Sequence, residues 1–271
     1  MNNLLKTFIH SLLFTSCLIL TGPGCTELSV DPFDNVTSND YVIAEPFAFR
    51  VSAAGSSKLQ LEGVSGNVTI EGSSQADSVI IICEKRVGSD SREDAQLHLD
   101  DLYVRIQNLD ETIFVKTIQP DETNGRSYVV DYLITVPKNY EIEIVLINGS
   151  IQIDSIENNI KITNVNGNVT LNEIIGSTYI NTINGNIANK QAIPQHGVIR
   201  HFTVNGSIGL SIPDNSSADF SASVANGSIE IENLVIQITS ITPLSYQGIM
   251  GSGQGNIFLE TVNGSIRVDG Y

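Results

Sequence analysis

The chain has 271 residues, enough for one domain or two, and carries 30 acidic residues against 14 basic ones. That balance excludes a nucleic-acid binder, which needs a basic face, and electrostatic docking on anionic lipid, and it suits a soluble, self-repelling surface. Tryptophan is absent and aromatics are 6% of the residues, so no aromatic platform for stacking sugars is expected.

Residues 1–24 carry one charge, Lys6, followed by an apolar run from Phe8 to Leu20. The run is shorter than the ~20 apolar residues of a membrane span. It reads as an export signal that takes no part in the fold. Its end, Gly22-Pro23-Gly24-Cys25, resembles a bacterial lipoprotein signal, in which the cysteine becomes the lipidated first residue. Such boxes usually carry Leu two places before the Gly; here Gly22 stands there and Leu20 lies further back. Cys17, after a shorter run, is one alternative, and ordinary secretion or an uncleaved anchor is another. An acylated Cys25 tethers the domain to a membrane face, each buried methylene contributing about 0.8 kcal/mol. The expectation is an exported protein, lipid-anchored on the periplasmic side or cell surface, most simply at the outer membrane. Without Lys6 the balance is 13 basic against 30 acidic residues, a net charge of −17.

Residues 25–46 are polar and read as a tether, with the domain spanning 47–271. Phe49-Val51, Leu59-Leu61 and Val68-Ile70 alternate as strands do. Val79 to Cys83 is continuously apolar, the pattern of a strand buried on both faces. Cys83 is the one cysteine of the domain, so with Cys25 acylated no disulfide framework is possible; it reads as a small buried apolar residue. Near 91–102 one short helix is predicted. Ser91 caps it, Glu93 and Asp94 stand in its first turn, and Ala95, Leu99 and Leu102 share a face. Strands follow at Leu102–Ile106, Ile113–Ile118 and Tyr128–Val136.

From Ile147 to Gln191 the chain repeats in nines. The fifth place holds Ile151, Ile160, Val169, Thr178 and Ile187; the seventh holds Ile153, Ile162, Leu171, Ile180 and Asn189. Places two apart face the same way on an extended chain. Asn-Gly recurs at Asn148-Gly149, Asn166-Gly167 and Asn184-Gly185, every second nine, so the true repeat is 18 residues. Asn and Gly suit tight corners. They equally mark hairpins, so a meander competes. A coil explains better why the corner sequence returns only at alternate corners, because one corner then stacks on itself each turn. On that reading Ile147, Val165 and Ile183 form an internal ladder and the Asn residues an edge ladder. Further copies are Asn205-Gly206, Asn226-Gly227 and Asn263-Gly264, with extra residues placed in bulged corners such as 193–197. The predicted fold is all-β: a single elongated β-solenoid with coils of about 18–21 residues, forming a rod near 50 Å long if strands stack ~4.8 Å apart.

The units Ser65-Gly66-Asn67-Val68, Asn148-Gly149-Ser150-Ile151, Asn166-Gly167-Asn168-Val169 and Asn205-Gly206-Ser207-Ile208, with Tyr132 to Pro137 ahead of the array, resemble the bacterial putative-adhesin domain of unknown function and its relative, the head-GIN domain. The resemblance spans about 47–271. It implies a β-solenoid on an exported protein or lipoprotein, without an established activity and without catalytic residues to carry over.

No catalytic residue is singled out. His196 and His201 are five apart, face opposite ways on a strand, and read as a solvated loop rather than a metal pair. His98 lies on the predicted helix without an HExxH pattern, and Gly251 to Gly255 is turn chemistry rather than a nucleophile elbow or phosphate loop. The corners lack the Asp of calcium-binding nonapeptide repeats. No cofactor or metal is expected. Two function classes remain. One is a non-enzymatic envelope rod that presents a polar face to a glycan or protein, bound to the membrane by its lipid and to no nucleic acid. The other is a polysaccharide lyase or glycosidase, since β-helices host both. Basic residues in the array are few and unclustered by period, and no carboxylate pair is marked out, which favours binding.

Overall fold

The computed structural model describes residues 39–271. The signal, Cys25 and the tether up to residue 38 lie outside the described residues. The first third contains β1 (Tyr41–Ser52), β2 (Lys58–Glu62), β3 (Val68–Ser73), β4 (Ser78–Ser89), helix α1 (Arg92–Leu97), β5 (Tyr103–Leu109), β6 (Thr112–Ile118) and β7 (Ser127–Pro137). The repeats form β8 (Glu141–Asn148), β9 (Ile151–Asp154), β10 (Ile160–Asn166), β11 (Val169–Ile175), β12 (Thr178–Asn184), β13 (Ile187–Ala192), β14 (Val198–Asn205) and β15 (Ile208–Ile212). The last part holds β16 (Ala218–Asn226), β17 (Ile229–Glu232), β18 (Ile236–Thr242), β19 (Ser245–Met250), β20 (Gly255–Asn263) and β21 (Ile266–Gly270).

The fold is all-β, built as two mixed sheets with open edges and no closed barrel. Sheet A runs β1-β4-β7-β3-β9-β11-β13-β15-β21-β17, and sheet B runs β18-β19-β16-β20-β14-β12-β10-β8-β2-β6-β5. Through the repeats, successive strands alternate between the sheets, and every pairing is parallel. Residues 18 apart are partners: Ile160 lies between Ile142 and Thr178, and Val169 between Ile151 and Ile187. Like side chains therefore stack on like, and the head-to-tail meander does not occur here. The fifth and seventh places of each nine are all buried and belong to one continuous core or to the polar cluster within it.

Several sequence expectations need correction. The internal ladder is not Ile147, Val165 and Ile183, which are half-exposed; strand alternation carries inward from Ile144 to Leu146, Asn164 and Thr182 instead. Val79 to Cys83 is not buried on both faces: Ile82 is 47% exposed beside Leu133 on the outside of sheet A. The first strand begins at Tyr41 rather than Phe47, and residues 41–46 pair with β4 along its whole end. The helix ends at Leu97, and a 3-10 turn covers Leu99–Asp101. Ser91 caps the helix as read, accepting from the Asp94 amide, and Ala95, Leu99 and Leu102 are buried.

Stacking also departs from chain order at both ends. The strand pair β2–β3 lies between β6–β7 and β8–β9, and the pair β20–β21 lies between β14–β15 and β16–β17. These two strand pairs are thus interior to the sheets, each strand held by a parallel partner on each side.

Candidate binding surfaces

The Asn-Gly corners form one edge of the stack. The Asn166 amide nitrogen donates to Asn148 Oδ1 at 2.7 Å, Asn184 to Asn166 and Asn205 to Asn184 at 2.8 Å, Asn263 to Asn205 at 2.8 Å and Asn226 to Asn263 at 2.9 Å. The side chains are exposed, and the ladder satisfies its own amides. Behind it each glycine rests on the previous corner. A Cβ on Gly149, Gly167, Gly185, Gly206, Gly264 or Gly227 would stand 1.8–2.1 Å from the carbonyl oxygen of the glycine below. Glycine is required there for close approach, and at Gly149, Gly167, Gly227 and Gly264 also for a positive φ, 136° at Gly167. From inside, Asn164 donates to Gly149 O and Gly167 O, Thr203 to Gly185 O and Thr261 to Gly206 O, so the polar inward residues tie down the corner carbonyls. These contacts account for the corner residues as structure.

A polar cluster interrupts the core between β12, β13 and β14. Thr178 Oγ1 and Asn189 Nδ2 both donate to Gln191 Oε1, at 2.7 and 2.6 Å, and Gln191 Nε2 donates to Gly176 O. His201 Nε2 sits 3.0 Å from Thr178 Oγ1 and 3.2 Å from Asn189 Nδ2. His201 is fully buried, not in a solvated loop, and burial pushes its pKa down to about 3. His196 occupies the exposed turn before β14 with φ 62°.

One row of outward side chains crosses most of sheet B. Register sets Glu143, Lys161, Tyr179, Arg200, Phe258, Ser221 and Gln247 side by side on seven adjacent strands. Tyr179, Arg200 and Phe258 are exposed, and Phe202 stands two residues along β14 on the same face. Adjacent strands are ~4.8 Å apart, so the backbone positions of Tyr179 and Phe258 lie about 10 Å apart on either side of Arg200. Among the described residues Arg200 makes no ion pair, and neither do Arg50, Arg92 and Arg105, whereas Arg86, Arg126 and Arg267 are each held by carboxylates; what sets Arg200 apart is its place between Tyr179 and Phe258. Lys161 and Lys58 hold Glu143 on both sides; burial opposes its charge, yet the two ammonium groups keep its pKa below the ordinary value. Beyond Phe258 the row opens into a shallow recess of about 380 Å³ walled by Asp219, Ser221, Thr239, Gln247, Ile249 and Phe258. Register gathers residues 21 and 58 positions apart onto neighbouring strands. The one sequence signal was the outward place of each strand, where Lys161 and Tyr179 recur 18 apart.

Among the described residues no group of three or more His, Cys, Asp or Glu side chains is placed to hold a metal ion. Asp94, from the acidic stretch near the helix, is taken by Arg126 and Ser89, which hold its carboxyl well below the usual range. Cys83 is buried, and burial raises its thiol to about 12, far from a nucleophile.

No protein-family model and no curated protein matches the chain. Solved structures similar to it are described as putative adhesion proteins or, in one case, a putative lipid binding protein. One is a putative cell adhesion protein from Clostridium sporogenes, 13% identical over 84% of this chain and 100% of that one, with a TM-score of 0.49. Another is a putative adhesin from Bacteroides fragilis, also 13% identical, covering 83% of this chain and 97% of that one at a TM-score of 0.42. A putative lipid binding protein from Parabacteroides distasonis is 11% identical, covering 83% and 96% at 0.27. At these identities and scores the likenesses carry no inference about ligand or mechanism, which must come from the side chains.

Proposed function

We propose that this chain is a non-enzymatic, exported cell-envelope lipoprotein, anchored through Cys25, that binds a glycan carrying acid groups on the outer face of sheet B. In this reading the two sheets are the walls of one β-solenoid, and residues 1–24 and 25 to about 40 serve as signal and tether. The parallel 18-residue register supports the solenoid. The carrying observation is the row Tyr179–Arg200–Phe258. An Arg without a protein carboxylate, flanked by two exposed rings in so acidic a chain, presents both a counter-charge for an acidic sugar and apolar faces for its rings. A flat, multi-strand face with a shallow recess suits an extended polymer better than a small molecule, which favours a concave, enclosing pocket. The Asn ladder is a rigid edge that fixes the spacing of this face and is not itself the site.

The test is a panel of neutral and acidic oligosaccharides titrated against the exported protein and its Tyr179→Ala, Phe258→Ala and Arg200→Ala variants. Binding restricted to acidic glycans, and weakened several-fold by each substitution, supports the proposal. Binding indifferent to all three overturns it, and turnover of a glycan abolished by one carboxylate substitution would establish an enzyme instead. Labelled palmitate should enter the wild-type chain and the Cys17→Ala variant but not Cys25→Ala.

A further inference from the structure

The two ends of the stack differ in how their sheet edges are protected. At one end the edge of sheet A, β1, carries Glu45, Pro46 and Arg50 with α1 packed beside β1 and β4, and the edge of sheet B, β5, carries Arg105. Charges, proline and a covering helix are the usual guards of an edge strand. At the other end sheet B finishes in β18, which pairs with β19 on one side only. Six of its seven residues are exposed, and none is charged or proline.

We propose that β18 is a self-association edge, where two copies of this chain join by antiparallel pairing of β18 with β18 about a two-fold axis. Three further observations carry this. First, β17 is the last strand of sheet A and stands level with β16, so β18 and β19 have no strand opposite them. Ile236, Ile238 and Ile241 share the face of Met250, Gly248 and Tyr246, yet Ile238 is 52% and Ile241 61% exposed, with Val235 and Leu244 exposed at the margins. Second, residues 233–259 contain no Asp, Glu, Lys or Arg, 27 positions in a chain of net charge −16. Elsewhere two copies of so acidic a molecule repel; here they meet without opposing like charges. Third, a two-fold axis brings each edge strand against its own equivalent in antiparallel sense. In any register β18 then opposes Ile, Thr, Ser and Gln to one another, pairs that suit strands and bury no charge.

The occupant is therefore a second copy rather than a charged foreign strand. The join continues sheet B of one copy into sheet B of the other. The recess beside Thr239 and Gln247 lies next to the junction, and two rows of Tyr179, Arg200 and Phe258 share one outer face. A polymeric ligand then meets two sites at once, which raises avidity without a new contact. The dimer stands on the sheet edge and does not require the glycan reading.

The experiment uses protein recovered from cells expressing the full chain, in detergent if acylated, with mass measured by light scattering across a dilution series. The expected result is twice the chain mass, falling on dilution, and the chain mass at every concentration for an Ile238→Lys, Ile241→Lys double variant. Leu97→Lys, at a still more exposed apolar position on α1, should remain dimeric. Amide exchange of wild-type β18, slowing as protein concentration rises, gives a readout that needs no variant. A wild-type chain that is monomeric at its highest soluble concentration overturns the proposal, as does a dimer untouched by both lysines. A monomer that instead takes up an extended peptide along β18 also overturns it.

Discussion

Asn263 donates its side-chain amide to Asn205 at 2.8 Å across 58 residues of sequence, while Asn226, only 21 residues from Asn205, stands one rung further out. The last two strands of the chain, β20 and β21, are thus slotted between earlier ones. A chain ending at Gln254 loses an interior layer, including the buried Ile257, Leu259, Ile266 and Val268. It should lose its cooperative unfolding transition, measured by circular dichroism on heating. Were this strand pair a terminal cap, the truncated chain would keep that transition at somewhat lower temperature.

Gly167 and Gly209 give a paired test of the corners. A Cβ at Gly167 meets Gly149 O at 2.1 Å at a φ of 136°, whereas at Gly209 the nearest atom is 3.9 Å away. Gly167→Ala should cost about 2–3 kcal/mol in denaturant unfolding, from strain and a forced carbonyl shift. Gly209→Ala should be neutral or slightly stabilising.

His201 should make the fold sensitive to acid. Its pKa is lowered from 6.5 to about 3 by burial, so below pH 6.5 the unfolded chain binds a proton that the folded chain refuses. Stability is then fully present above pH 6.5 and lost as pH falls toward 3, at up to about 1.4 kcal/mol per pH unit from this group. Denaturant unfolding at pH 7, 5 and 4 should show a shallower loss for His201→Gln than for wild type. Equal slopes would mean that the imidazole is already solvated in the fold.

The inward polar positions should matter more than the outward ones. Asn164→Ala removes two buried hydrogen bonds and leaves two corner carbonyls short of a donor, at about 2–4 kcal/mol. Asn166→Ala breaks exposed ladder bonds that water replaces, at about 1 kcal/mol. Thermal unfolding of the two variants side by side checks the order.

Much of this architecture was legible because the repeat is written in side-chain chemistry. Ile151, Val169 and Ile187 recur where an extended chain points inward, and Gly149, Gly167 and Gly185 recur where a Cβ has no room. The phase of the last inward place was not legible. Leu146, Asn164 and Thr182 mix apolar with polar, while their outward neighbours Ile147, Val165 and Ile183 look like core. Layer order was hidden for a related reason. Ile257 fits beside Ile199 or Phe220 equally well, so apolar pattern alone does not say which strand lies next. The row on sheet B was invisible until register was known, since Tyr179, Arg200 and Phe258 share no local motif.

The central claim is that Arg200 meets an acidic ligand between two rings. Calorimetric titration of the acidic oligosaccharide that binds best, against Arg200→Ala and Arg267→Ala, tests it most directly, because Arg267 is a surface arginine already held by Glu230 and Glu232. Arg200→Ala should weaken binding about tenfold or more, the worth of a charge-assisted contact, and Arg267→Ala should leave it unchanged. Equal affinities for both variants and wild type would contradict the account.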